Sequence, residues 1–126
     1  MPPVDLDIDV HEQTTRLDLP ELVRQLIAHL GPTLVATLAD VRDRKLPYKW
    51  ANPEGATPRP ESQQKLLAAH RIWAMISAAE GDNVARAWFI GANPRLGEEA
   101  PVIRLREGQI KAVLQAAKAF VEGVDD

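Results

Sequence analysis

The chain has 126 residues, 45% of them hydrophobic and 26% charged, which suits one compact unit or two very small helical subdomains. The absence of cysteine excludes disulfides, thiol nucleophiles and thiolate metal sites, and the formal net charge of −3 argues against DNA binding by the molecule as a whole. The sequence has neither an apolar run of membrane-spanning length nor a basic, apolar leader, so we expect a cytoplasmic protein without a membrane partner.

Residues 1–17 are acidic and have little apolar content. They carry four carboxylates against a single cation, Arg16, and show no helical period. We expect this segment to be a mobile acidic arm.

Two consecutive helices are predicted over residues 18 to about 38. Asp18 precedes Pro20, a pairing of an N-cap with a first-turn proline, and Gly31 with Pro32 ends this helix and begins the next. Apolar residues at helical spacing should face the core: Leu22, Val23, Leu26, Ile27 and Leu30 in the first helix, and Leu34, Val35 and Leu38 in the second.

The middle of the chain contains two breaks and a long helix. Pro47 disfavours helix at Leu46, so the sequence predicts either a short helix that begins near Pro47 or a longer one that is kinked there. Residues 51–60 have the composition of a loop. A long helix should follow from Glu61 to about Glu80, with this core stripe: Leu66, Ala69, Trp73 and Ile76.

The remaining third is predicted to hold two helices around a loop. Gly81 ends the long helix, and Asp82 or Asn83 caps a fifth helix, with Val84, Ala87, Trp88 and Gly91 expected on its core face. Residues 91–101 form a Gly/Pro loop, and residues 102–105 are expected to be short and extended. The last helix, about Glu107 to Val121, should place these residues on one side: Ile110, Val113, Leu114, Ala117, Phe120 and Val121.

Residues suited to catalysis are poorly represented. Ser62 and Ser77 lack the glycine-flanked turn of a serine nucleophile. The three histidines are far apart and match no metal-ligand spacing, so His70 is interpreted as a structural residue at the edge of the core. We therefore predict no catalytic residues, no metal site, no cofactor and no enzymatic activity.

A basic segment, RDRKLPYKW, runs from Arg42 to Trp50. It follows a short apolar helix and a turn. This order is typical of a recognition helix, in which one face is anchored in the core and the other carries cations to DNA. The predicted DNA-binding residues are Arg42, Arg44, Lys45, Tyr48 and Lys49, with Tyr48 and Lys49 facing the groove. The alternative is a solvated basic face beside a loop.

A second segment, WFIGANPRLGEEAP, runs from Trp88 to Pro101. It combines an aromatic residue with an Asn-Pro turn and a Leu-Gly turn, and a loop so rich in glycine and proline presents backbone groups in fixed positions. The alternative is an ordinary helix connector with Trp88 and Leu96 in the core. We predict Trp50, Trp73 and Trp88 to be largely buried.

The second segment, with the residues around it, resembles the Xre/MbcA/ParS antitoxins over about Asp82 to Val124. In that family a helix that ends in Trp is followed by an Asn-Pro, Leu-Gly and Pro loop and by a last helix that finishes near a glycine. The matching residues are Trp88, Asn93, Pro94, Leu96, Gly97, Pro101, Gly108 and Gly123. Lys49-Trp50, Gly55 and Pro58-Arg59 echo the family's helix-turn-helix region.

The resemblance implies a partner and a site. Antitoxins of this family cover the active-site entrance of a RES-domain toxin that degrades NAD, and the complex often represses its own operon. NAD is then the partner's substrate and not a cofactor of this chain. The toxin-binding residues expected from the resemblance are Trp88, Asn93, Pro94, Arg95, Leu96, Gly97, Pro101, Gly123 and Val124.

The terminal residues 123–126 are small and acidic. One hypothesis is that they extend into a basic, phosphate-accepting pocket of the toxin, and the alternative is a frayed terminus.

The sequence thus predicts an all-α protein with a degenerate helix-turn-helix region at residues 18–80 and a small toxin-binding domain at residues 81–126. Its partners would be a cognate RES-domain toxin and operator DNA, in a homodimer or a toxin–antitoxin hetero-oligomer. The alternative function is a stand-alone helix-turn-helix transcriptional regulator with a C-terminal dimerisation region.

Overall fold

A computed structural model describes residues 18–123, and the arm predicted over residues 1–17 lies outside them. The described residues form α-helices and one 3₁₀ turn, without a strand, which confirms the all-α prediction. The elements are α1 (Leu19–Leu30), α2 (Pro32–Leu38), α3 (Leu46–Trp50), α4 (Pro60–Glu80), α5 (Asp82–Ile90), the 3₁₀ turn (Pro94–Leu96), α6 (Pro101–Arg106) and α7 (Ile110–Glu122). Among these helices, none combines the length and the apolar character that a membrane crossing requires.

The first two helices begin and end where the sequence predicts. The Asp18 carboxylate accepts a hydrogen bond from the Glu21 amide at 3.0 Å, which caps α1. Gly31 separates α1 from α2: its amide donates to Ile27 O at 2.9 Å, and its carbonyl accepts from the Val35 amide at 3.2 Å. Its φ of +87° is strained for residues with a side chain, which explains a glycine between two helices that follow each other so closely.

Helix α3 has five residues, and Pro47 lies in its first turn. The short-helix alternative is therefore confirmed. A proline is tolerated there because the amides of the first turn have no partner within the helix. Pro47 and Trp50 are buried, and they attach α3 to the core.

Helix α4, predicted from Glu61 to about Glu80, is the centre of the fold. It packs against α1, α2, α5, α6 and α7, and one connected cluster of buried side chains runs from Leu22 to Ala117. The Ser62 hydroxyl, buried, donates to Ala39 O at 2.8 Å and so ties α4 to the end of α2. About one turn later, Lys65 Nζ donates to Arg106 O at 2.7 Å and ties α4 to the end of α6.

Helix α5 buries a different face from the predicted one. Ala85 and Phe89 enter the core, whereas Val84, Ala87 and Gly91 are exposed. The two stripes lie one residue apart and have the same helical spacing, so periodicity alone does not choose between them. The predicted cap is also wrong, because Gly81 is the N-cap and Asp82 is the first helical residue.

Towards the end of the chain, two predictions differ from the structure. Residues 102–105, expected to be extended, belong to helix α6, which Pro101 begins after the extended residue Ala100. In α7 only part of the predicted apolar stripe is buried: Val113 and Ala117 are in the core, but Phe120 is 40% exposed.

The tryptophans differ in burial. Trp50 is buried as predicted, whereas Trp73 and Trp88 are only partly buried at the edge of the core. The Trp73 indole N–H donates to Asp82 Oδ1 at 2.8 Å, and His29 stacks on the indole with ring centroids 4.2 Å apart. His29 Nδ1 is 3.1 Å from the same Asp82 oxygen. These hydrogen bonds lower the pKa of Asp82, and the one from Trp73 is the larger cause, followed by the one from His29.

Candidate functional surfaces

The five predicted DNA-binding residues are all exposed, on and just before α3. Tyr48 and Lys49 belong to α3 itself, whereas the other three cations, Arg42, Arg44 and Lys45, lie in the turn that precedes it. Within residues 18–123 none of the four cations takes part in an ion pair. The segment therefore presents four cations and one phenol to solvent.

Local hydrogen bonds fix this basic segment. Asp43 Oδ1 accepts from the Lys45 amide at 2.9 Å, and Asp43 O accepts from the Leu46 amide at 3.0 Å. At the other end, Arg24 of α1 donates to Ala51 O at 3.1 Å.

Gly55 keeps the loop after α3 close to the helix. A Cβ at this position would lie 2.2 Å from Lys49 O, which is well inside contact distance with the backbone. Only glycine fits here without a backbone shift. The close approach of Gly55 and the hydrogen bond from Arg24 to Ala51 O together fix the position of the five-residue helix α3.

A second surface, here called the aromatic patch, consists of Trp88 and Phe120 with Val84, which lies one turn before Trp88 on the same side of α5. Trp88 of α5 and Phe120 of α7 lie with ring centroids 6.4 Å apart, and Trp88 packs edge-on against the buried Phe89 at 5.7 Å. Val84 and Phe120 are 39% and 40% exposed. Ile90 is 48% exposed, but it lies two residues after Trp88 in α5 and therefore faces away from the patch. Trp88 was predicted as a toxin-binding residue. Val84 and Phe120 were predicted on the apolar faces of their helices, because helical spacing does not distinguish a core residue from an exposed apolar one.

The loop between α5 and α6, residues 93–99, is held by Asn93. Its carbonyl accepts from the amides of Leu96 and Glu98, both at 2.9 Å, and its side chain accepts from the Arg95 amide at 3.0 Å. The Asn93 amide donates to Glu99 O at 3.2 Å, which closes the loop. Asn93 is therefore the internal brace of this turn.

The predicted toxin-binding residues divide into supports and presented residues. Leu96 and Pro101 are buried and support the loop from below, and Asn93 is partly buried. Pro94, Arg95 and Gly97 are exposed. Gly123 is exposed and ends α7 with a φ of +70°, and Val124 lies outside the described residues.

Arg104, which sequence reasoning missed, connects this loop to α6. Its Nε donates to Leu96 O at 3.1 Å and its Nη1 contacts Glu107 Oε1 at 2.9 Å. No sequence pattern indicates this role, since the contact depends on α6 being a helix.

The described residues contain no group of His, Asp and Glu side chains that would hold a metal ion. The two serines that sequence analysis considered donate to backbone carbonyls, Ser62 to Ala39 O and Ser77 to Ala74 O at 3.3 Å.

Comparison with known proteins identifies the architecture. No protein-family model and no curated protein matches the chain. Among solved structures, the fold matches a chain of the crystal structure of the M. tuberculosis MbcT-MbcA toxin-antitoxin complex, with a TM-score of 0.71 and 21% sequence identity. The match covers 87% of this chain and 99% of that chain. This chain therefore shares its fold with a component of that toxin–antitoxin complex.

Proposed function

We propose that this chain is the antitoxin of a type II toxin–antitoxin system and neutralises a RES-type, NAD-degrading toxin by binding it. The observation that carries the proposal is the fold match, which extends over 99% of a chain from a toxin–antitoxin complex. The sequence resemblance over Asp82 to Val124 selects the antitoxin as the corresponding partner.

The aromatic patch is the proposed centre of the toxin interface. Large apolar side chains that stay exposed together mark sites where proteins meet, and aromatic residues dominate the binding energy of such sites. Val84 and Phe120 remain 39% and 40% exposed, although the buried core residues Ala85 and Ala117 lie close to them in the same helices. Burial by a partner would remove this apolar surface from water.

The loop 93–99 is the proposed rim of the same interface. Pro94, Arg95 and Gly97 are exposed on a turn whose backbone is held by Asn93, so they meet a partner without much loss of conformational freedom. Leu96 and Pro101 contribute indirectly, because they anchor the turn to the core. Gly123 and Val124 follow α7, which carries Phe120, and we keep the insertion of the acidic end into the toxin as a hypothesis.

We propose that the chain acts by binding alone, without catalysis. Neutralisation by covering an active site requires a complementary surface and no reacting group. The hydroxyl of Ser62 is buried and donates to a backbone carbonyl, and burial lowers the pKa of His70, with a smaller contribution from His29. Such features are typical of structural residues.

A second proposed activity is operator binding through the basic segment 42–49. Four exposed cations without an ion pair in the described residues are suited to phosphate contact, and Tyr48 and Lys49 are on the exposed side of a helix whose other side is buried. If the chain were a stand-alone regulator, this segment would function without any toxin partner.

Co-purification tests the proposed toxin partnership. We expect the product of the adjacent reading frame to co-purify with this chain. Val84→Ser combined with Phe120→Ser should lower the affinity about tenfold or more, because the two changes remove apolar area from the interface centre. Val84 and Phe120 are 39% and 40% exposed, so we expect a modest fall in the melting temperature, and binding is compared at a temperature where both proteins are fully folded. The matched control is Tyr48→Ser, since Tyr48 is 54% exposed on α3, outside the patch.

Equal affinity of the patch variant and the wild type would contradict the assignment of the interface. A chain that purifies alone, and binds DNA with no toxin encoded nearby, would favour the stand-alone regulator.

A further inference from the structure

Arg104 lies on helix α6, and its side chain contacts the loop that forms the proposed rim of the interface. Its side chain is only 26% exposed. One nitrogen, Nε, donates to Leu96 O in the loop at 3.1 Å, while Nη1 contacts the Glu107 carboxylate at 2.9 Å. The Glu107 carboxylate therefore fixes the guanidinium, which in turn donates to the carbonyl of Leu96 in the loop.

The loop needs such a tie at this point. Gly97 and Glu98 both have positive φ values, +67° and +68°, and the second belongs to a residue with a side chain, for which this conformation is costly. A Cβ on Gly97 would lie 3.4 Å from Arg104 Nη2, so the guanidinium packs directly against the strained turn. Its planar set of donors suits this geometry better than a single ammonium does.

We propose that Arg104 is a positioning residue for toxin binding. It holds the Pro94–Gly97 turn in its binding geometry before the toxin arrives and thereby reduces the ordering that association would otherwise require. This inference rests on the proposed antitoxin function. Arg104 itself is not placed in the interface, because it acts through the carbonyl of Leu96.

Two substitutions of Arg104 with a matched control on the same helix test the inference. Arg104→Met keeps the apolar stem and Arg104→Lys keeps the charge, but neither keeps the planar guanidinium. Both substitutions should therefore weaken toxin binding by about tenfold, which is the equivalent of losing one charge-assisted hydrogen bond. Arg106→Met removes an identical side chain that instead pairs with Asp40 at 3.2 Å, outside the loop, and should change the affinity less than about twofold. Glu107→Gln should give a smaller loss than Arg104→Met, since it leaves the bond to Leu96 O in place.

Amide hydrogen exchange provides a readout that a general loss of stability would not reproduce. In the free chain, the Arg104 variants should accelerate exchange at Leu96 and Glu98 while leaving α4 as protected as in the wild type. If Arg104→Met binds the toxin as tightly as the wild type does, or if Arg106→Met weakens binding equally, the positioning role is overturned. If the wild type binds no toxin, the antitoxin proposal itself fails, whereas loss of binding in the Arg104 variants alone supports both.

Discussion

His70 is a buried imidazole at the contact between α1 and α4. It is 4% exposed and forms a hydrogen bond with Gln25 at 2.8 Å, and its ring lies 5.5 Å from that of Trp73. Burial lowers the pKa of His70 from the ordinary value of 6.5, and the neighbouring His29 lowers it further. His70 was expected at the edge of the core. Its burial there disfavours the protonated form of the imidazole.

The lowered pKa of His70 predicts that the protein loses stability on mild acidification. As the pH falls through 6.5, the unfolded chain takes up a proton at residue 70 that the folded chain does not, so the free energy of unfolding decreases until the lower folded-state pKa is passed. The slope contributed by one proton is at most about 1.4 kcal/mol per pH unit. Urea unfolding measured between about pH 7.5 and pH 5 checks this.

A His70→Gln variant should lose this part of the pH dependence, since glutamine is similar in size and does not titrate. His29→Gln is the control and should retain most of it, because burial, and not His29, is the larger cause of the shift. A His70→Gln protein with the pH profile of the wild type would show that the buried imidazole is not responsible.

Single residues also show where sequence reasoning reaches its limit. The cap at Asp18 and the glycine at position 31 act locally, within one turn of helix, and both were predictable. Asp82 was expected to cap α5, but its carboxylate accepts from Trp73, nine residues earlier. Arg104 was missed for the same reason, because its partner is set by tertiary packing.

At the scale of elements, helix positions were predictable and helix faces less so. Prolines and glycines mark both ends of α1 and α4, and the apolar stripes of these two helices are long enough to identify the buried side. Helix α5 has only nine residues, and two stripes compete within it. The one that buries Phe89 leaves Trp88 at the surface, which is also how the aromatic patch arises.

The basic segment around α3 makes an element-scale prediction about DNA. If its cations contact phosphates, replacing Arg42 and Lys49 with alanine should lower the slope of log affinity against log salt by about 2, with weaker binding to the DNA upstream of its own gene. A quantitative mobility-shift titration over several salt concentrations measures this.

The matched control for the DNA prediction replaces Arg86 and Lys111, two exposed cations on α5 and α7, with alanine. This variant has the same net charge as the test variant, so its salt slope should stay near that of the wild type. An unchanged slope in the Arg42/Lys49 variant, or an equal decrease in the control, would contradict a role for the basic segment.

At the scale of the whole molecule, α4 packs against the helices that form or support both proposed surfaces. The basic segment reaches the core through α1 and α2, the aromatic patch lies on α5 and α7, and all four of these helices pack against α4. The segments predicted at residues 18–80 and 81–126 thus share one connected cluster of buried side chains. Composition indicated a sufficient core, but this shared packing could not be inferred from helical periodicity.

The most direct test of the central claim is a titration of toxin activity. Purified RES-type toxin from the adjacent reading frame would degrade NAD while increasing amounts of this chain are added, and NAD loss would be followed over time. With toxin well above the dissociation constant, the account predicts that activity falls to zero near a stoichiometric amount of the wild-type chain. With toxin below the dissociation constant, half-inhibition should require about tenfold more of the Val84→Ser, Phe120→Ser variant than of the wild type. Undiminished NAD loss in a large excess of the folded wild-type chain would contradict it.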